Sequence, residues 1–494
     1  MSFEFNNLHF ILVPLFAQGH MIPMIDMARI LAEQKVTVTL LTTPQNTSRF
    51  HKSIHRSTNS GLPIHLLELP FPSQQAQLPL SCENLDTLPS RNLLRNFYTA
   101  LHMLQEPLEN YITNHSFPPS CIISDKCISW TSSTAKKFNV PRLVFHGMSC
   151  FSLLASYNIK LHNAHHSVDS DTDPFVIPGV MPQRIEITRA QLPGTFVSLP
   201  DLDDYRDKMH EAEISSHGVV VNSFEELEQG CAQEYEKVMN KRVWCIGPVS
   251  LCNKESLDKF QRGNKSCIEE KQCLEWLNLM ETRSVIYACL GSLCRLVTSQ
   301  LIEIGLGLES SNRPFIWVVK TNYENYLELE NWLKSENFEE RVKGKGLLIK
   351  GWAPQILILS HPSIGGFLTH CGWNSTIESV CFGLPMITWP LFAEQFVNEK
   401  FIVEVLKIGV GVGVEVPVRF GDEKKAGVLV KKCRVVEVIE MCMGGGVEGE
   451  KRRCRAKELG NMAIKALDVD EGSSHFNISC LIQDIIDYHS TKNY

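Results

Sequence analysis

Along this chain, short apolar runs rich in β-branched residues alternate with segments whose apolar positions recur every three or four residues. That alternation predicts parallel strands joined by helical crossovers, because a parallel pair needs a long connection and both faces of its sheet must be covered. In the first half, strands are expected in LHFILVPL (8–15), VTVTLLTT (36–43), CIISD (121–125), RLVFHG (142–147), GVVVNSF (218–224) and RVWCIG (242–247). The pattern then restarts with SVIYACLG (284–291), PFIWVVK (314–320), GLLIKGW (346–352), GGFLTH (365–370) and PMITWP (385–390). Between the halves, residues 247–272 are polar, charged and without an apolar period, the mark of a linker. Helical patterning returns in HFNISCLIQDIIDYH (475–489). The pattern therefore predicts an α/β protein of two doubly wound, Rossmann-like domains, residues 1–246 and 273–472, facing each other across a cleft. Residues 473–494 are expected to form a helix packing back on the first domain.

Composition narrows the function classes. The chain has 494 residues, enough for two cores, and 48 basic against 55 acidic residues give a formal charge of −7. No basic run tracks a phosphate backbone, so a nucleic-acid partner is not expected. The seventeen cysteines are odd in number, thinly spread and never in a C-x-x-C pair, which fits a reducing compartment. Glu4 precedes the first apolar run, Pro14 breaks it, and nothing later reaches 18 apolar residues in a row. A soluble, monomeric cytoplasmic protein without a membrane span is expected.

Ligands of doubly wound sheets bind at the carboxyl ends of the strands. His20 follows the first strand, at the entrance of a helix in which Pro23 is expected in the first turn, where a missing N–H costs nothing. Asp125 ends another strand at the same sheet edge. A histidine backed by a carboxylate is the usual build of a general base, although a capping or buried histidine and a helix-capping aspartate fit the local pattern equally. A serine hydrolase would need a nucleophile elbow, and GMSCF (147–151) lacks its second glycine. GGGVEG (444–449) matches a dinucleotide fingerprint but follows a helical pattern, not a strand. DSDTDP (169–174) lacks the glycine and glutamate of a calcium loop, and HKSIH (51–55) has no third zinc ligand beside it, so no metal is expected.

The richest segment spans residues 352–395. GGFLTH reads as a strand, CGWN as a tight turn, STIESVCFG as a helix and PMITWP as the next strand. A glycine-containing turn opening onto a helix N-terminus makes an anion site. Asn374 and Ser375 stand at that entrance, and Ser375 with Glu378 also matches a capping box, which alone would account for both. Capping leaves unexplained the company they keep: His370, Trp352, Trp373 and the pair Glu394-Gln395.

This segment closely resembles the signature box of the plant family-1 glycosyltransferases, which move a sugar from a UDP-sugar to a small lipophilic acceptor. AQGHMIPM, CIISD, FHGMSCF and GSSHFN resemble the subgroup acting on flavonoids, triterpenoids and steroid-like hormones. The resemblance covers essentially the whole chain and implies the GT-B fold, with UDP-glucose as co-substrate and no cofactor. It implies that Trp352 stacks on the uracil, that the Ala353 backbone pairs with its edge, and that Glu378, with Gln355 nearby, accepts from the ribose. His370, Gly372, Asn374, Ser375 and Ser292 would hold the diphosphate, while Trp373, Glu394 and Gln395 would meet the sugar. In the family the last position tends to be Gln for glucose, so Gln395 favours UDP-glucose over galactose, glucuronic acid or xylose donors. His20 would deprotonate the acceptor, oriented by Asp125, with Gly19 beside it on the acceptor side, and one in-line displacement would give a β-O-glucoside. Parts of residues 73–100, 145–155 and 190–210 are expected to line the acceptor pocket. Residues 428–460 are richer in Cys and Gly than the family's late helix, which leaves that helix's length open. The competing classes are a nicotinamide dehydrogenase, which lacks its fingerprint, and a ligand-binding receptor, which would not need the His20–Asp125 pair.

Overall fold

The computed structural model describes residues 8–197, 200–320, 323–419 and 421–491. In the first half, β1 (His9–Val13), β2 (Thr37–Thr42), β3 (Ile64–Glu68), β4 (Cys121–Asp125) and β5 (Arg142–His146) are followed by a small antiparallel ribbon, β6 (Pro174–Val176) and β7 (Glu186–Thr188). Then come β8 (Gly218–Val221) and β9 (Arg242–Cys245). Apart from the ribbon, these strands form one parallel sheet in the order β3-β2-β1-β4-β5-β8-β9. The second half builds a parallel sheet from β10 (Val285–Cys289), β11 (Phe315–Val319), β12 (Gly346–Lys350), β13 (Ile364–Thr369), β14 (Met386–Thr388) and β15 (Gly409–Gly411), in the order β12-β11-β10-β13-β14-β15.

Both sheets run outward from their first strand and then jump back past it, so each has a switch point beside that strand. It lies between β1 and β4 in one sheet and between β10 and β13 in the other. Every residue of β1 and β4 is buried, which is why HFILV and CIISD read as unbroken runs and not as alternations. Between the two sheets, side chains from both halves share an apolar core in which the Phe151 and Phe401 rings stack 4.7 Å apart.

Two expectations need correction, and a helix length left open is now given. The helix carrying His20 is Gln18–Glu33, so Pro23 lies inside it and not in its first turn. Ser375 does not cap its helix, which begins at Trp373 with Gly372 as N-cap, so the capping box is not formed. Residues 428–460 contain two helices, Lys432–Met443 and Val447–Lys465, separated at Gly444–Gly446.

Residues 247–272 are not an extended spacer. They hold two short helical turns, Val249–Cys252 and Ser256–Phe260, and are fastened to the first half by buried polar contacts. Arg29 donates to Asn253 (2.8 Å) and Asp258 (2.9 Å), Arg56 pairs with Asp258 (2.6 Å), and Gln18 donates to Asn264 (2.8 Å). The last helix, Ser473–Thr491, lies against the first half: Asn477 donates to Glu225 (2.9 Å), and His217 meets Asp484 (2.5 Å). All seventeen cysteines are free, and among the described residues no helix is long and apolar enough to cross a membrane.

Candidate active site

The two switch points face each other across a cavity of about 600 Å³. Gly19, His20, Ser292, Trp352, Ala353, Gln355, His370, Gly372, Trp373, Asn374, Ser375, Glu378, Glu394 and Gln395 all line it. Asp125 does not. It lies behind His20, with its Oδ2 2.7 Å from His20 Nδ1, while its Oδ1 accepts from the Cys127 amide (2.9 Å). The aspartate side chain is 1% exposed and the histidine 36%, so the imidazole is held from behind and open in front. Burial alone would lower the His20 pKa, but the charge and hydrogen bond of Asp125, with Glu394 adding to them, lift it above the ordinary 6.5. Asp125 correspondingly sits below the usual carboxylate range: burial pushes it up, and the charge and hydrogen bond of His20, with the Cys127 amide and His146, more than offset that.

Pro23 explains a contact between the halves. An α-helix pairs the N–H of residue i with the carbonyl of residue i−4, and proline has no N–H, so Gly19 loses its usual donor. Asn374 supplies one from the opposite domain, with Nδ2 2.6 Å from the Gly19 oxygen. The residue beside His20 is thus hydrogen-bonded to the first turn of the helix Trp373–Cys381.

That helix has no side-chain cap, so its amides and positive dipole end open on the cavity. His370 is wedged beside it: a Cβ added at Gly372 would come within 2.4 Å of the ring, and one at Gly291, whose φ is +83°, within 2.5 Å. Burial lowers the His370 pKa to about 4, which keeps the ring neutral near pH 7. Trp352 Nε1, His370 Nδ1 and Asn374 Oδ1 are buried with no partner among the described residues. All three atoms belong to residues that line the cavity.

Other predicted residues are already engaged. The Trp373 indole N–H donates to the Asn222 carbonyl (2.7 Å) in the first half, so only its backbone side remains for the cavity. Gln395 Oε1 accepts from the Leu391 and Phe392 amides (2.8 and 3.0 Å), leaving its NH2 group as the free donor. Glu394 is half-buried on the cavity wall, and its desolvation raises the carboxyl pKa above the usual value. Gln355 donates to Ser375 Oγ (3.1 Å) and Glu378 Oε2 (2.7 Å). Ser292 sits in the turn after β10, its carbonyl accepting from Lys320.

The structure adds residues on and behind the cavity wall that the pattern had hidden in the presumed linker. Arg262 pairs with Glu378 (2.5 Å) and Asp26 (2.8 Å). Gly263, at φ +89°, packs between Trp352 and Ile22, where a Cβ would lie 2.4 Å from the indole. Cys267 pairs with the Trp352 backbone, its amide donating to the Trp352 carbonyl at 2.8 Å. In a polar stretch without period, no signal distinguished these residues from solvated ones. Among the described residues, no group of three or more His, Cys, Asp or Glu is placed to hold a metal ion.

Comparison with known proteins adds an independent line. Residues 6–251 match the family described as glycosyltransferase, N-terminal domain, and residues 264–418 match UDP-glucoronosyl and UDP-glucosyl transferase. UDP-glycosyltransferase 73D1 of Arabidopsis thaliana is 58% identical, the match covering 97% of each chain. The crystal structure of Glycyrrhiza uralensis UGT73P12 complexed with glycyrrhetinic acid 3-O-monoglucuronide superposes with a TM-score of 0.90 at 37% identity, over 98% of this chain and 97% of that one. Phytolacca americana UGT2, complexed with UDP-2fluoro-glucose and pterostilbene, gives a TM-score of 0.74 at 26% identity, over 98% of this chain and all of that one.

Proposed function

Since the chain belongs to the plant family-1 UDP-glycosyltransferases and has their GT-B fold, we propose that it transfers glucose from UDP-glucose to a hydroxyl of a small lipophilic plant metabolite, inverting the anomeric centre. The observation that carries this reading is the Gly19–Asn374 contact of 2.6 Å, which puts the His20–Asp125 pair and the uncapped helix N-terminus on either side of one hydrogen bond.

In this reading His20 donates its Nδ1–H to Asp125 and keeps the Nε2 lone pair for the acceptor hydroxyl. As that proton moves to Nε2, the acceptor oxygen bonds to the anomeric carbon and the bond from that carbon to the phosphate oxygen breaks, its electrons leaving with UDP. Asp125 stabilises the imidazolium. The helix N-terminus and the neutral His370 donate to the developing diphosphate charge. One displacement at an α-linked donor gives a β-glucoside. Glu378 accepts from the ribose and the Gln395 NH2 group meets a sugar hydroxyl.

A run of rings in the first half, Phe71, Phe97, Tyr98 and Tyr205 at centroid spacings of 5.6, 6.4 and 5.8 Å, lies outside the lining of the cavity, with Phe97 buried in the core. These residues fall in the segments 73–100 and 190–210 or at their edge, of which residues 198–199 lie outside the described chain. A lipophilic acceptor is supported by the structures of relatives complexed with glycyrrhetinic acid 3-O-monoglucuronide and with pterostilbene. A second donor, UDP-glucuronic acid, is favoured by one observation, that Arg295 and Lys320 line the same cavity.

The test is incubation with UDP-glucose, UDP-galactose or UDP-glucuronic acid and a panel of flavonols, triterpenoids, sterols and cytokinins. A product heavier by one glucose, with a β anomeric coupling by NMR, is expected. Transfer from UDP-glucuronic acid alone would replace the donor assignment, and retention of configuration would refute the single displacement.

A further inference from the structure

Arg262 stands between two carboxylates that belong to opposite halves of the molecule. Its Nη1 lies 2.5 Å from Glu378 Oε1, and its Nε and Nη2 lie 2.8 Å from Asp26 Oδ2. The arginine side chain is 10% exposed, Asp26 3% and Glu378 2%. The outer oxygens are also fixed: Asn253 donates to Asp26 Oδ1 (2.9 Å) and Gln355 to Glu378 Oε2 (2.7 Å). Each carboxylate oxygen can accept about two hydrogen bonds, so Glu378 keeps capacity for a ligand on both oxygens while Arg262 and Gln355 define its plane. A guanidinium is planar and always charged, and it binds at two edges, which a lysine ammonium cannot reproduce.

We propose that Arg262 is a positioning residue for the nucleotide: anchored on Asp26 in the helix that carries His20, it holds Glu378 in the one orientation in which both oxygens face the ribose hydroxyls. This rests on the reading of Glu378 as the ribose acceptor. Without Arg262 the carboxylate would be held by Gln355 at one oxygen and could turn about that bond, losing its aim, so the consequence is specific to the ribose and does not extend to the uracil or the sugar.

The test compares UDP with 2′,3′-dideoxy-UDP by titration calorimetry on the full chain. The wild type is expected to bind UDP about tenfold or more tightly than the analogue, the scale of hydrogen bonds to a charged acceptor. Arg262→Met is expected to bring the ratio to about one, and Arg262→Lys to lower it severalfold while thermal melting stays cooperative. Removing one partner of a buried ion pair is strongly destabilising, so if the methionine variant does not fold, the lysine variant decides. A cooperatively melting variant with the wild-type ratio would overturn the inference and leave the ribose reading standing. A wild type that does not distinguish the two ligands would overturn the ribose reading and this inference with it. A merely structural arginine would weaken both ligands alike and leave the ratio unchanged.

Discussion

At the scale of single residues, His20 and Asp125 make the sharpest claims. His20→Ala is expected to lower kcat on alcohol acceptors by about 10² to 10⁴, the usual contribution of a general base, while UDP still binds by calorimetry. The ring accepts a proton only when neutral, so kcat/KM should fall as pH drops through its raised pKa. Asp125→Asn removes the anion that raises that pKa, so the acid limb of the pH profile should move to lower pH as the maximum rate falls. An unmoved limb would separate Asp125 from His20. Glucose and galactose differ in one hydroxyl, and mispairing one buried polar group costs about 1–3 kcal/mol. The wild type should accordingly prefer UDP-glucose over UDP-galactose by about tenfold in kcat/KM. Gln395→Ala should abolish the preference and leave UDP inhibition nearly unchanged, and because Gln395 also braces two amides the variant should melt lower. Residues of the 352–395 segment were legible because one strand, turn and helix bring them together in sequence and in space. Arg262 was not, since its partners lie in distant parts of the chain and nothing near it has a period.

At the scale of elements, Pro23 sets local stability against a contact between the halves. A proline in a helix interior costs up to about 3 kcal/mol through its missing hydrogen bond and ring clash. Pro23→Ala should therefore raise the melting temperature, yet the new N–H would compete with Asn374 for the Gly19 carbonyl and kcat/KM should fall. A variant both more stable and fully active would dissociate that carbonyl from function. The sequence misplaces this helix start because Ala17, the residue at its N-cap, offers no side-chain acceptor to betray it. All eleven expected strands form, most of them as runs buried along their length, which leave a clear trace. The unexpected ones lack it: β3 is half-exposed, β15 is three residues with a glycine at each end, and β6–β7 is a brief ribbon off the main sheet.

At the scale of the whole molecule, the alternation of elements specified two parallel sheets and, through their switch points, the edge where a ligand must sit. The proposed anion site at that edge consists of a helix N-terminus and a neutral histidine, so turnover is expected to survive EDTA. Loss of activity on chelation, restored by manganese, would contradict it. The attachment of the linker 247–272 was not legible because apolar periodicity reports only what packs through apolar contacts, whereas this segment is held by arginines and carboxylates. That attachment has a consequence for recombining relatives. A chimera that takes its acceptor half from one enzyme and its donor half from another should place the crossover after residue 272 and not before 249. Only then do Arg29, Arg56 and Asp26 travel with Asn253, Asp258 and Arg262, so that this segment meets the other parent through Glu378 and Trp352, beside the Gly19–Asn374 and Trp373–Asn222 bonds and the last helix, which join the two parents wherever the crossover lies.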